Sequence, residues 1–463
     1  MTAPVIYWHR QDLRLDDLPG LSAASAEGEV IPCYILDDTP SDPWGPGTAS
    51  RWWLHHSLVA LSEQLKERGG KLLVLRGKPE KLLPKLAAET GASAVYCSEL
   101  LEPAARQLQQ HVARSLEQAA LVLRASPGTT LVHPEYMRRP DGSFYKVFTP
   151  FWRKLRQGDI AAPTSTASTR FWRGPLTSLP ASEWGLLEGS RDYSAALAHP
   201  WQPGQHGAQQ RMESFVASQI HHYDAHRNAP AKNACSRLSP HLHYGEISPH
   251  RVWHTAIAQG PEADGFLSEV AWREFNYHQL YANPDMPEVA LRAPFRDFPW
   301  LPREDLFEAW KAGMTGYPLV DAGMRELAQT GFMHNRVRMV AASFLCKHLL
   351  IPWQWGARWF WDQLVDADLA SNSGGWQWVA GCGLDAAPYF RVFNPIIQSE
   401  KFDPQGDYLK QWLPELSALQ GKSVHKPWLT PLLAPDYPAP VVDHAEARQA
   451  ALAAWDTIRT QSA

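Results

Sequence analysis

The feature that most constrains the fold is an alternation in the first third of the chain. Short apolar runs at residues 5–8, 30–36, 71–75, 94–97 and 121–123 are separated by amphipathic stretches such as 51–68 and 103–119. Apolar runs without polar alternation suit strands covered on both faces. The pattern therefore predicts a parallel sheet with helices on either side, closing near residue 130. No G-x-G-x-x-G follows any of these strands, and Gly45-Pro46-Gly47 reads as a proline-containing turn rather than a phosphate loop. Between about 161 and 205 the composition shifts to Ser, Thr, Pro, Gly and Ala, which marks a long connection. Beyond it the period is helical: segments 265–281, 318–330, 335–350 and 353–366 repeat apolar residues at three and four positions. The expected architecture is α/β plus all-α. A Rossmann-like parallel-sheet domain spans 1–130, a connector 131–204 and a helical domain 205–463. The 463 residues exceed what one core holds, since single cores stop growing at about 250–300 residues.

Charge and cysteine content narrow the function. With 44 basic against 48 acidic residues, net −4, no global positive field announces a nucleic-acid binder, so any such binding needs a local basic patch. The five cysteines, Cys33, Cys97, Cys235, Cys346 and Cys382, form no CxxC pair, which predicts a reducing, cytoplasmic compartment and no zinc site. The N-terminus turns charged within ten residues and no run of about 18 apolar residues occurs, so neither a signal peptide nor a membrane span is expected. Tryptophan is in excess, at 21 residues.

Four clusters in the helical half combine aromatic, charged and amide residues. Ser236-Arg237-Leu238-Ser239-Pro240 suits a phosphate at a helix start, although on this segment alone a plain N-cap is the favoured reading. Glu269, Trp272 and Arg273 share one helix face, either a ligand surface or a salt-bridged exterior. His334-Asn335-Arg336-Val337-Arg338-Met339 is a polar wedge in an otherwise apolar helix, whose polar groups need partners. In the stretch 366–378, Asp366, Asp368, Asn372, Gly374, Gly375, Trp376 and Trp378 follow a Trp-rich helix. No His or Cys stands there at ligand spacing, so no metal is expected, and the glycines suit close backbone approach to a flat ligand. His222 and His226 lack the HExxH context, and no G-x-S-x-G elbow supports a hydrolase.

The segments WHRQDLRLDD, KVFTPFWRKL, SRLSPHLHYGEISP, WREF, GYPLVDAGMREL, HNRVRM, DADLASNSGGWQW, YFRVFNP, EKFDP and WLPEL together resemble the DNA photolyase/cryptochrome family. The resemblance implies an antenna domain and a helical domain that holds FAD in a U-shaped conformation. By position it implies flavin contacts from Tyr223, Ser236, Arg237, Leu238, Ser239, Trp272, Arg273, Asn335, Arg338, Asp366, Asp368 and Asn372. Arg338 would pair with Asp366 beside the ring, and Asn372 would face flavin N5, where plant cryptochromes typically carry an acid. For damaged DNA it implies a cyclobutane pyrimidine dimer flipped into a cavity, with Glu269 bonding the bases, Trp272 and Trp378 packing against them and Met339 lining the cavity. Asn335 completes that DNA-facing set, and Arg227, Arg336 and Arg391 would contact phosphates. Trp376, Trp353 and Trp300 match the family's electron-transfer chain, whereas Trp355, Trp359 and Trp361 suit either packing or a side branch.

Repair enzymes for (6-4) photoproducts carry histidines at the positions of Asn335 and Met339, so dimer repair is the implied activity, by a monomer. Ala104 and Ala105 replace residues that contact folate in several relatives. SPHLHYGEISP, DAGMREL and PWQWGARWFWDQLVDADL look closer to class III photolyases and plant cryptochromes, and class III implies methenyltetrahydrofolate as second chromophore; class I stays open. The rival reading is a cryptochrome-type photoreceptor. Asn372, Glu269 and the short stretch after the last motif speak for repair.

Overall fold

The computed structural model describes residues 2–37, 44–164, 168–193, 201–385 and 390–460. The chain forms two compact units. The first takes residues 1–145, 149–221 and 236–284, and the second 146–148, 222–235 and 285–463.

In the first unit five strands, β1 (Val5–His9), β2 (Val30–Leu36), β3 (Leu73–Arg76), β4 (Ala94–Ser98) and β5 (Val122–Ser126), form a sheet in the order β3-β2-β1-β4-β5. All neighbours are parallel, with Val5 opposite Val30, Ile6 opposite Val95, Cys33 opposite Leu73 and Ala94 opposite Val122. Every residue of β1 and β4 is buried, as strands covered on both faces require. One face packs Ile6, Trp8, Ile31, Cys33, Val95 and Cys97 against Leu83, Leu86, Val112 and Leu116 of the helices Pro79–Thr90 and Pro103–Gln118.

The expected connector is not a loose tether. Phe171 bridges Val30, Val74 N–H donates to Ser178 Oγ at 2.9 Å and Leu179 N–H donates to the Val74 carbonyl at 2.9 Å. The chain thus covers the edge of β3, where unpaired backbone groups would otherwise be open. Residues 165–167 and 194–200 of this interval, and Tyr389 of the YFRVFNP motif, lie outside the described residues.

Residues 236–284, expected in the helical domain, belong instead to the first unit, and one side chain shows why. Glu246 is fully buried. Its Oε1 accepts from Trp53 Nε1 at 3.1 Å, Ser57 Oγ at 2.6 Å and Gly204 N–H at 2.6 Å, and its Oε2 is hydrogen-bonded by His241 Nδ1. Beside it Arg14 Nη1 reaches the Gly245 carbonyl at 2.8 Å, Leu13 N–H the Tyr244 carbonyl at 3.0 Å, and Tyr244 Oη the Ser50 carbonyl at 2.8 Å. Gly245 adopts φ +64°, and a Cβ there would stand 2.2 Å from the Gln11 carbonyl oxygen, so only glycine permits this seam.

The second unit is helical. The helices Pro318–Thr330, Asn335–Ser343, Trp353–Gln363 and Leu369–Ala380 pack on one another, and the helix His444–Thr460 packs on the turn Phe344–His348. The single helix expected over 335–350 is α-helical only to Ser343 and then widens into a π turn at Phe344–His348. Leu350, at φ +55°, ends it. Among the described residues no helix is long and apolar enough to cross a membrane.

Replacing the Glu246 carboxyl strands several buried donors at once, each costing about 1–3 kcal/mol. Glu246→Ala is expected to lower unfolding free energy by about 3 kcal/mol or more, read as a shift of the urea midpoint. An unchanged midpoint would contradict the role given to this carboxyl.

Candidate functional site

In the first unit, the helix Asp264–Ala282 carries several of the expected residues on one face. Its buried side is tied to backbone over residues 273–279. Arg273 Nη1 donates to the Thr129 carbonyl at 2.8 Å, Leu131 N–H to Glu274 Oε2 at 2.6 Å, and Gln279 Nε2 to the Tyr145 carbonyl at 2.6 Å, with His278 Nε2 3.0 Å from the Val132 carbonyl. Burial pushes the Glu274 carboxyl up to about 7, against the opposing pull of Arg273. These anchors leave Glu269, Trp272 and Asn276 half-buried along one stripe, with Trp272 edge-on to Phe275 at 5.7 Å. Arg273, expected to share the face of Glu269 and Trp272, directs its guanidinium to the Thr129 carbonyl and to the buried Glu274, 3.2 Å away.

Ser236 to Ser239 form a tight bend before the short helix Ser239–His243. Arg237 has φ +54°, a left-handed backbone that non-glycine residues rarely adopt, and its guanidinium lies over Trp201 at 4.3 Å. Leu238 is buried, Ser236 half-buried and Ser239 exposed.

The other expected residues lie in the second unit. Arg338 donates from Nη2 to both oxygens of buried Asp366, at 3.1 and 2.9 Å, and from Nε to the Met333 carbonyl at 2.7 Å. Asp368 caps the helix Leu369–Ala380 by accepting from Ser371 N–H at 2.7 Å, and four residues on Asn372 Nδ2 donates to the Ala357 carbonyl at 3.0 Å. His334 caps the helix Asn335–Ser343 by accepting from Arg336 N–H at 3.2 Å. Burial, with Arg338 and Arg336 adding to it, lowers the His334 imidazole to about 4 and keeps it neutral. Arg336 bonds Asn228 Oδ1 from Nε and Nη2 at 3.1 and 2.6 Å and lies over Phe402, while Arg227 lies over buried Tyr223. Asn335 and Arg391 are exposed; Met339 and Trp378 are half-buried.

Trp376 and Trp353 are buried and Trp300 is half-buried. Gly356 makes room for Trp376: a Cβ there would stand 2.1 Å from its ring. The ring contacts of Trp376 are Phe360 at 5.0 Å and Trp310 at 6.3 Å, and Trp300 packs on Phe298 at 4.3 Å. Trp310, Asn228 and Glu246 went unnoticed in the sequence; a buried indole or carboxyl gives no local sign until its partner is known.

Two family models match the chain, "DNA photolyase" over residues 5–168 and "FAD binding domain of DNA photolyase" over 266–457. The chain belongs to the DNA photolyase/cryptochrome family. A deoxyribodipyrimidine photo-lyase of Agrobacterium fabrum is 44% identical over 99% of this chain and 98% of its own length. A bacterial class III photolyase structure from Agrobacterium tumefaciens superposes with a TM-score of 0.94 at 43% identity, covering 99% of this chain and 98% of that one. Arabidopsis thaliana cryptochrome-2 is 34% identical over 97% of this chain and 78% of its own length.

The cofactor of this family, FAD, fits the residues present. The Ser236–Ser239 bend offers hydroxyls and backbone N–H groups suited to phosphates and ribityl oxygens. The Arg338–Asp366 pair, buried on its acid side and open on its guanidinium side, suits a ring that gains negative charge.

Two outcomes follow. Gly356→Ala displaces the Trp376 ring, so light-driven reduction of the oxidised holoprotein should slow relative to wild type in absorbance traces; an unchanged rate would exclude Trp376 from that path. Glu274 has a folded value raised above its unfolded one of about 4.3, so the native state holds the extra proton. The stability contributed by Glu274 is fully present below about pH 4.3 and is lost as pH rises through about 7. Glu274→Gln should flatten this slope and gain about 2 kcal/mol at pH 8 in denaturant titrations.

Proposed function

We propose that this photolyase repairs cyclobutane pyrimidine dimers in DNA under blue light. Reduced FAD, when bound and excited, supplies the electron that opens the cyclobutane ring and receives it back. The protein's own residues bind, orient and steady the reactants. The observation that carries the reading is the open stripe of the Asp264–Ala282 helix, where a carboxylate and an indole stand side by side on a helix fixed by its buried face. Glu269 hydrogen-bonds the pyrimidine edges and stabilises charge that develops there. Trp272 and Trp378 pack on the flipped bases and Met339 lines the cavity. Arg227, Arg336 and Arg391, with Asn335 beside them, engage the DNA, the arginines through its phosphates, and so supply the basic patch that the net charge of −4 conceals.

Flavin contacts are assigned to Tyr223, Ser236, Arg237, Leu238, Ser239, Trp272, Arg273, Asn335, Arg338, Asp366, Asp368 and Asn372. The Asn372 amide has no proton to give as an acid would, which suits a flavin kept fully reduced. Trp376, Trp353 and Trp300 relay electrons for reduction of the oxidised cofactor. Asn335 and Met339 stand where (6-4) repair needs histidines, so the lesion is the dimer. Residues 1–130 serve as antenna domain with methenyltetrahydrofolate as second chromophore, and 205–463 as the flavin-binding region. The working form is a cytoplasmic monomer.

The test is to incubate the reduced holoprotein with dimer-containing DNA under blue light and in the dark. Intact thymines should return only in the light. Glu269→Gln should retain FAD and lower the yield about tenfold, the worth of a hydrogen bond to a charged group. Binding of FAD with no light-dependent return of thymines would sink the repair reading in favour of a photoreceptor.

A further inference from the structure

Within the second unit, the π turn Phe344–His348 turns one lysine inward. Such turns are rare and collect at functional sites. Lys347 is 2% exposed. Its Nζ donates to the Arg391 carbonyl at 2.8 Å and lies 4.0 Å from the centre of the Phe390 ring. Among the described residues no carboxylate pairs with it. The titratable groups that act on it are Cys346 of the same turn, Cys382 beyond the helix Leu369–Ala380, and Arg391. Burial raises both thiols, so they stay neutral, and Arg391 has the same sign as the lysine. A buried ammonium without a counter-charge is costly, and burial accordingly lowers Lys347 to about 8, which still leaves it mostly charged near neutrality.

Lys347 opens onto a pocket that is also lined by Ser343, Trp378, Gly381, Arg391 and Phe393. Ser343 Oγ accepts from Phe393 N–H at 3.4 Å and keeps its own proton to donate. A lysine, an arginine, a serine and no acidic residue thus line one space beside an indole. We propose that this pocket binds a phosphate group, with Lys347 as the buried cation and Arg391 as the exposed one. The missing counter-charge is then the ligand itself. The source of the phosphate rests on the repair reading: Trp378 packs on the lesion there, so a backbone phosphate of the lesion strand is the first source and free phosphate the second.

The test uses the holoprotein. Binding to a dimer-containing duplex is measured over a series of salt concentrations, and thermal stability is measured with inorganic phosphate against chloride at equal ionic strength. For a DNA phosphate, Lys347→Met should reduce the slope of log K against log salt by about 0.7–0.9, one phosphate's share. For free phosphate, the wild type should melt higher with phosphate, and Lys347→Met should not respond. Visible flavin absorbance controls for folding. If the variant loses flavin, wild-type crystals grown with the duplex or with phosphate decide: an oxyanion within hydrogen-bond distance of Lys347 Nζ supports the site. A flat response in both solution arms, or a pocket without an oxyanion in both crystals, overturns it. Repair is scored on the same preparation. A wild type that repairs but shows neither phosphate response sinks the pocket alone. One that does not repair sinks the repair reading, and the inorganic-phosphate arm still decides the pocket.

Discussion

The first unit depends on the carboxyl of Glu246. It gathers an indole N–H and a hydroxyl from the helix Thr48–Glu67, a backbone N–H at Gly204 and the imidazole of His241. None of these groups meets water, so each would be an unsatisfied buried donor without it. The sheet and its helices therefore cannot complete their polar interior from the first two hundred residues alone. Arg14 makes the same demand from the other side: its guanidinium is spent on the carbonyls of Asp16, Asp17 and Gly245. The motifs WHRQDLRLDD and HYGEIS, more than two hundred residues apart, are two edges of one hydrogen-bonded seam. That seam holds the bend at Ser236–Ser239 in place.

A second constraint acts on the helix Asp264–Ala282. Its buried face carries polar groups rather than only apolar ones, and each finds a backbone partner in the segment 129–145. Apolar packing tolerates a rotation of a few degrees, whereas hydrogen bonds in successive turns do not. The rotation of the helix is thereby fixed, and with it the direction in which Glu269 and Trp272 point. The proposed contact residues Glu269 and Trp272 would need this kind of support behind them to hold a base in a fixed pose.

The strands were legible because a doubly covered parallel strand is a continuous apolar run: β1, β2 and β4 fall where those runs stand. The helices Pro19–Glu27 and Pro79–Thr90 escaped, the first because its small residues carry almost no amphipathic signal, the second because Pro84 interrupts it. The unit boundary was missed for a different reason. Composition marks where a chain turns polar, while unit membership is decided by distant hydrogen bonds such as those of Glu246. Among site residues, Arg338 and Asp366 were legible as a pair through the family pattern. Lys347 was in plain view inside the apolar run VAASFLCKHLL, but a lone lysine in such a run also fits a side chain that reaches back to the surface. Only the π turn, which rotates it inward, separates the two.

The tryptophan excess acquires a physical meaning beyond the proposed electron transfer. An indole fills a large volume yet keeps one N–H that needs an acceptor when it is cut off from water, and three tryptophans show theirs. Trp53 finds Glu246, Trp184 the Leu179 carbonyl and Trp310 the Ala341 carbonyl. Trp310 shows the consequence most clearly. Its N–H is bound to the helix Asn335–Ser343, which carries Arg338, while its ring stacks on Phe360 at 5.8 Å and meets Trp376 edge-on. One indole outside the expected electron path thereby ties the helix that presents the guanidinium to the tryptophan proposed to pass the electron. Both are fixed with a rigidity that an aliphatic side chain, lacking the directed N–H, would not give.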